Sequence, residues 1–339
     1  MATLVSSSIG SVDPGTEDAH YSTIVLWEDA TDVDLRATTG TDTQHDGKVI
    51  NETHTTAVEI TITGATTDVT HYRRLTTMPG ASFRDNASVQ TNALRANASN
   101  GALLTGDINT IILTINETFS RLDSLQITNT RSGSDNFSAA VRFTAVNIVE
   151  FNIFEASTTQ TRVATMTVGT FRNCLFVNRG SACPTNVICN NFGTPTFWNC
   201  TFVASDDLAT APANAITTSA NGTVTFQNCG FFGYAALKTG TVNPTYTTCH
   251  GDNASPPTGV TQVTYADQFE NINDATRDFR LKTGADMIDG GTTDTTNAAI
   301  DIAGTSRPQG AAYDTGCWEF VSAEEEAEEP YFIPPMISG

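Results

Sequence analysis

The chain has 339 residues and carries 17 Lys and Arg against 37 Asp and Glu, a formal net charge of −20. That balance repels nucleic-acid phosphates and anionic lipid with no local basic cluster to offset it, and no apolar run reaches the length of a membrane span. The seven cysteines fit neither zinc-ligand spacing nor a compact disulfide frame, so they read as small buried apolar residues, with no metal site and no cofactor implied.

In chain order, the first residues lack the basic and apolar regions of a secretory signal, which points to synthesis in a cytosol. Residues 1–35 differ in pattern from the rest of the chain. Ser22 is placed to cap a short helix through Ile24, Val25, Leu26 and Trp27 with Glu28 and Asp29 outward, an amphipathic lid over the first open coil of a repeat body. Strands come next, the clearest with strict alternation from Val58 to Gly64, and then a continuous apolar run, Ile111 to Ile115.

From Leu122 onward the chain repeats itself. Phe171-Arg-Asn-Cys174-Leu-Phe176 returns at Phe197 to Phe202, at Phe226 to Phe231 and, in worn form, at Tyr246 to Gly251. The same template read backwards gives Ile148, Phe151 and Ile153, and Leu122, Leu125 and Ile127. Units of two to three dozen residues without helical periodicity suit one coil of a parallel β-solenoid. Asparagine tolerates the left-handed backbone region, so Asn173, Asn199 and Asn228 are expected at one corner, stacked and bonding to one another. Cys174, Cys200, Cys229 and Cys249 are expected in an interior column. The segments 205–214 and 252–263 read as protruding loops.

On this register the outward columns are Asp123, Arg172, Trp198, Gln227 and Thr247, and then Gln126, Asn152, Leu175, Thr201, Gly230 and His250. No carboxylate stands above another in either column. Glu150 and Glu155 are close only in sequence, Asp206 and Asp207 read as solvated loop charges, and His250 beside Asp252 reads as a turn residue. No catalytic residue is assigned, and Arg172 with Trp198 is the pair suited to contact a sugar.

The body ends in Asp286-Met-Ile-Asp-Gly-Gly291 and then Arg307-Pro-Gln-Gly310 followed by Tyr313-Asp-Thr-Gly-Cys-Trp-Glu319. This ending resembles the terminal segment of right-handed parallel β-helix proteins of the pectate-lyase-like superfamily. The opening, with Tyr21-Ser-Thr-Ile-Val-Leu-Trp-Glu28, resembles the start of β-helix proteins encoded by bacteriophages. The resemblance implies an all-β, right-handed parallel β-helix. Its parts are a helical cap (1–35), the solenoid (36–285), a closing segment (286–321) and an acidic spacer with an apolar tail (322–339). Asp314 and Glu319 are expected to accept bonds from Arg307 and from amides that the last coil leaves unpaired.

In the tail, Glu324 to Glu329 is a like-charge spacer, and Tyr331, Phe332, Ile333, Met336 and Ile337 are apolar enough to dock in a partner. With the phage-type resemblance, these features imply a non-enzymatic structural protein at the virion surface, a capsid decoration or head spike made in the host cytoplasm. Its tail would hold the major capsid protein or a tail or portal component, and a homotrimer is a candidate assembly. The alternative is a receptor-binding tailspike or tail fibre, or a polysaccharide-degrading enzyme of the same fold, with a host surface glycan as its partner.

Overall fold

The computed structural model describes residues 2–131, 138–145, 147–156, 162–179, 194–204, 213–218 and 222–322, together with the backbone of 185–189. The apolar tail residues Tyr331, Phe332, Ile333, Met336 and Ile337, the glutamate run, Cys183 and the Asp206–Asp207 pair lie outside them. The described strands form a parallel β-helix of three sheets, with ten strands in the first, nine in the second and seven in the third. A representative coil runs through Thr170–Arg172, Leu175–Asn178 and Thr185–Cys189, each paired in parallel with the strands one coil before and after.

The corner between the first and second sheets explains the repeat. Ser124, Phe151, Asn173, Asn199, Asn228 and Thr248 all occupy the left-handed region, with φ between 49° and 64°. One residue in that conformation resets the strand alternation, so that the thiol after each asparagine points inward. Cys174, Cys200, Cys229 and Cys249 are all buried, and each thiol donates to a backbone carbonyl. Two phenylalanine columns fill the interior. Phe171, Phe197 and Phe226 stack at 4.9 and 4.7 Å between centroids, and Phe176, Phe202 and Phe231 at 4.8 and 5.1 Å. The columns meet edge to face, the arrangement that ring quadrupoles favour.

One coil is out of step with the template read from sequence. Val149, not Ile148, pairs with Leu122 and Phe171, which places Phe151 at the left-handed corner and Asn152 in the interior thiol column. Asn152 is tolerated there because its amide is fully used. It donates to the carbonyls of Leu122 and Glu150 and accepts from the Leu125 amide.

The opening segment contributes strands as well as a lid. Thr3–Ile9 and Ala19–Tyr21 extend the first sheet, and Ile24–Thr31 forms the helix over its end. The cap is Thr23, whose hydroxyl accepts from the Leu26 amide at 3.2 Å, one residue after the expected Ser22. Glu28 is buried rather than outward, because the inward-facing Arg73 beneath the helix needs a counter-charge.

The closing segment does not plug the last coil. It and the stretch before it, from Tyr265 on, fold back along the outer face of the second sheet, where Tyr265, Phe269, Phe279, Met287 and Trp318 bury Ile153, Leu175, Val177, Val203 and Phe232. These outward positions of the second sheet are apolar, and a second layer removes them from water. His250 is therefore a buried residue of the strand Cys249–Gly251 and not a turn residue. Arg307 pairs with Glu319 at 3.1 Å and donates to the carbonyls of Asp314 and Gly316. Asp314 and Glu319 accept from the Asp289, Phe320 and Gln309 amides, and Glu319 also accepts from the amide of Asp314. These carboxylates thus satisfy the closing segment itself and not the last coil. Among the described residues, no helix is long and apolar enough to cross a membrane.

A histidine at an outer turn makes stability depend on pH. His71 is buried between two carboxylates, Nδ1 2.9 Å from Asp68 and Nε2 2.9 Å from Asp42. The bond to Asp68, with that to Asp42, raises its pKa above the ordinary 6.5. A group bound more tightly to its proton in the folded state stabilises fully below the unfolded pKa and loses that contribution as pH rises through the folded one. The melting temperature is therefore expected to decline as pH climbs above about 6.5, and His71→Gln should remove that part of the decline in a pH series of thermal melts.

Candidate functional site

Outward residues of the first sheet form one continuous row. Pairing puts Asp123 beside Glu150, Glu150 beside Arg172, Arg172 beside Trp198, and Trp198 beside Gln227. Two carboxylates therefore do stand on adjacent coils, contrary to the columns read from sequence. Anchoring the coil on Ile148 moved Glu150 out of the row, whereas Val149 as the inward residue places Glu150 directly in it. The usable signal was a charged residue following each inward apolar one, as in Leu122-Asp123, Val149-Glu150 and Phe171-Arg172.

The two carboxylates are drawn in opposite directions. Asp123 is held toward the preceding coil, accepting from Arg74 Nε and Thr76 Oγ1, each at 2.5 Å. Glu150 is held toward the following coil by Arg172 Nη1 at 2.8 Å. Adjacent strands are about 4.8 Å apart, so pulling the side chains away from each other opens space between them. Arg74 also reaches Asp46 at 3.4 Å. Burial works against its cation, but the bonds to Asp123 outweigh this and its pKa is raised.

Arg84 borders the same groove from the segment after Arg73–Thr77. Its guanidinium lies 3.8 Å over the ring of Phe151, and its Nε donates to the Ile302 carbonyl at 2.9 Å. Burial lowers its pKa. Phe151 holds a left-handed φ of 57°, a conformation that costs a bulky residue about 1–3 kcal/mol. The stacked cation is one compensation visible at that corner. Arg74, Arg84, Asp85, Asp123, Glu150 and Phe151 surround a groove of about 320 Å³. Further along the row Arg172 and Trp198 are half-buried on neighbouring strands, side by side as the sequence suggested.

The other residues singled out in sequence lie elsewhere. Glu155 is on the second sheet, buried and paired with Arg277 at 2.7 Å and Arg179 at 3.2 Å, so it does not converge with Glu150. The asparagine corner holds the closing segment more than it holds itself. Asn228 reaches Asn199 only at 3.4 Å, while it donates to the Thr292 carbonyl at 2.7 Å and accepts from the Thr292 amide at 2.9 Å. Asn199 donates to the Asp314 carbonyl at 3.2 Å. Among the described residues, no three His, Cys, Asp or Glu side chains gather as a metal site.

The chain matches no protein-family model and no curated protein in sequence. Its structure is similar to that of a pectin methylesterase from Aspergillus niger, at 14% identity and a TM-score of 0.44, over 76% of this chain and 80% of that one. It is also similar to a pectate lyase, at 12% identity and a TM-score of 0.47, over 94% of this chain and 97% of that one. The expectation of a non-enzymatic structural protein, decorating a capsid through its tail, is corrected by the stacked carboxylates. The row contains the acidic pair whose absence the structural reading required.

Proposed function

We propose that this chain acts on polysaccharide along the outward face of its first sheet, as a hydrolase with Asp123 and Glu150 as the working carboxylates. The observation that carries the reading is their pairing on adjacent coils, Asp123 opposite Glu150, with Arg172 and Trp198 continuing the row. Cleaving a glycosidic bond needs one carboxyl group to protonate the leaving oxygen and a second to act at the sugar's other side. Asp123 has both oxygens engaged, and Glu150 has one bound to Arg172. Glu150 is accordingly the group that exchanges a proton with the substrate, and Asp123 the fixed carboxylate across the gap. Trp198 offers an aromatic face on which a sugar ring stacks, two coils beyond Glu150.

The phage-type resemblance of the chain's opening directs the search for substrate to bacterial surface polysaccharides. Purified protein incubated with a panel of them is expected to release new reducing ends. Unsaturated sugars would reassign the face to elimination chemistry, and binding without product would make it an adhesive surface. A panel yielding neither binding nor product would sink the proposal.

A further inference from the structure

Arg172 is gripped from two sides, and the second grip comes from far along the chain. Its Nη1 donates to Glu150 at 2.8 Å, and its Nη2 donates to Asn297 Oδ1 at 3.1 Å. Asn297 belongs to a short loop of the closing segment that is itself rigidly built. Asp294 accepts from the backbone amides of Thr296 and Asn297 at 3.0 and 3.1 Å and from Asn297 Nδ2 at 2.8 Å. The last of these bonds fixes the amide's orientation, because with its nitrogen committed to Asp294 its oxygen must face Arg172.

At its base the loop is fastened to the asparagine corner by three bonds between Asn228 and Thr292. The approach is close enough that only glycine fits before it. A Cβ on Gly291 would stand 2.8 Å from the Tyr313 carbonyl and 3.1 Å from Asn228 Cγ, and one on Gly290 would stand 2.6 Å from the His250 ring. Thr292 also lies within 3.4 Å of Gln227, so the loop spans the row from Gln227 to Arg172.

From this chain of contacts we infer that Asn297 is a positioning residue of the site. Together with Asp294 it fixes the Arg172 guanidinium and, through it, the direction in which Glu150 points. The closing segment is then a working part of the site through its hold on Arg172. This rests on the hydrolase reading above, since positioning matters only if Glu150 acts on a substrate. A guanidinium held at one point rotates about its bonds, whereas one held at two presents a fixed fork to the carboxylate. Misplacing a reacting group by about 1 Å costs up to about a hundred-fold in rate.

The test uses the full chain and two variants, Asn297→Ala and Asp294→Ala, each first shown to melt cooperatively near the wild-type temperature. The first readout needs no substrate. In nitrogen-15 spectra of the arginine side chains, with Arg172 assigned from Arg172→Lys, the wild-type guanidinium should show separate, slowly exchanging Nη signals. Both variants should collapse these to an averaged signal. The second readout uses whichever polysaccharide the panel identifies, where Asn297→Ala is expected to lower kcat about ten-fold with KM within about two-fold. Arg172 signals unchanged in both variants would overturn the inference, whatever the panel shows. Collapsed signals alongside an empty panel would uphold the grip on Arg172 and remove the hydrolase reading alone.

Discussion

Glu150→Gln should abolish release of reducing ends from the polysaccharide that the wild type cleaves, a loss of about a hundred-fold to ten-thousand-fold in kcat. The substitution keeps the shape of the side chain and leaves an oxygen for Arg172, so the fold and the groove should be unaffected. What disappears is the ability to give and take a proton, which no neighbour in the row replaces, because Arg172, Trp198 and Gln227 are not acids and Asp123 has both oxygens held by Arg74 and Thr76. Asp123→Asn should be damaging for a different reason. The amide keeps an acceptor oxygen for only one of Arg74 and Thr76, and the charge across the gap is gone. Reducing-end assays on both variants, with binding measured separately, would separate a chemical loss from a loss of affinity. Full turnover by Glu150→Gln would remove the carboxylate pair from the mechanism.

Arg73→Ala should destabilise the chain by about 3–5 kcal/mol, read as a lower midpoint in denaturant unfolding. Arg73 points inward from the first sheet and is 1% exposed. Its guanidinium serves five groups: Glu117 through Nε at 3.1 Å and through Nη2, the Thr63 carbonyl at 2.6 Å, the Glu28 carbonyl at 3.1 Å, the Glu28 carboxylate at 3.4 Å and the Thr31 hydroxyl at 3.3 Å. Removing it leaves two buried carboxylates facing a void, and Glu28 is already disfavoured as an anion by its burial. The helix Ile24–Thr31 rests on this cluster, so Arg73→Ala should also expose Trp27 and shift its emission to the red. A variant as stable as the wild type would show that the cation is dispensable for seating the helix.

The architecture was readable because each coil had to meet the same two demands. An inward aromatic pair and a corner residue able to adopt positive φ recur in Phe171, Asn173 and Phe176, and again in the next two units, so spacing and residue type agreed. The coil at Val149 escaped because its corner holds a phenylalanine and its interior an asparagine, the reverse of what propensity selects. Tertiary contacts override propensity there, with Arg84 stacked on Phe151 and the Asn152 amide saturated. The same departure hid the carboxylate pair, so the point at which local rules failed was the candidate site itself. The closing segment was visible as a motif, but its course was not. Nothing in Phe269, Phe279 or Trp318 says which outer face they will cover until the apolar row Leu175, Val177 and Val203 is seen to need covering.

The path of that segment and of the stretch just before it bears on how the molecule comes apart. A bare stack of coils loses structure from its ends inward, since each coil touches only its neighbours. Here Asp278 accepts from the Leu94 amide, Phe279 donates back to the Leu94 carbonyl, and the Ile302 carbonyl receives Arg84, so late residues are laced to early ones across the intervening turns. Fraying at either terminus must first undo the lacing along the flank. Melting should therefore approach a single concerted step, and a nascent chain would remain open along that flank until its closing segment had been made.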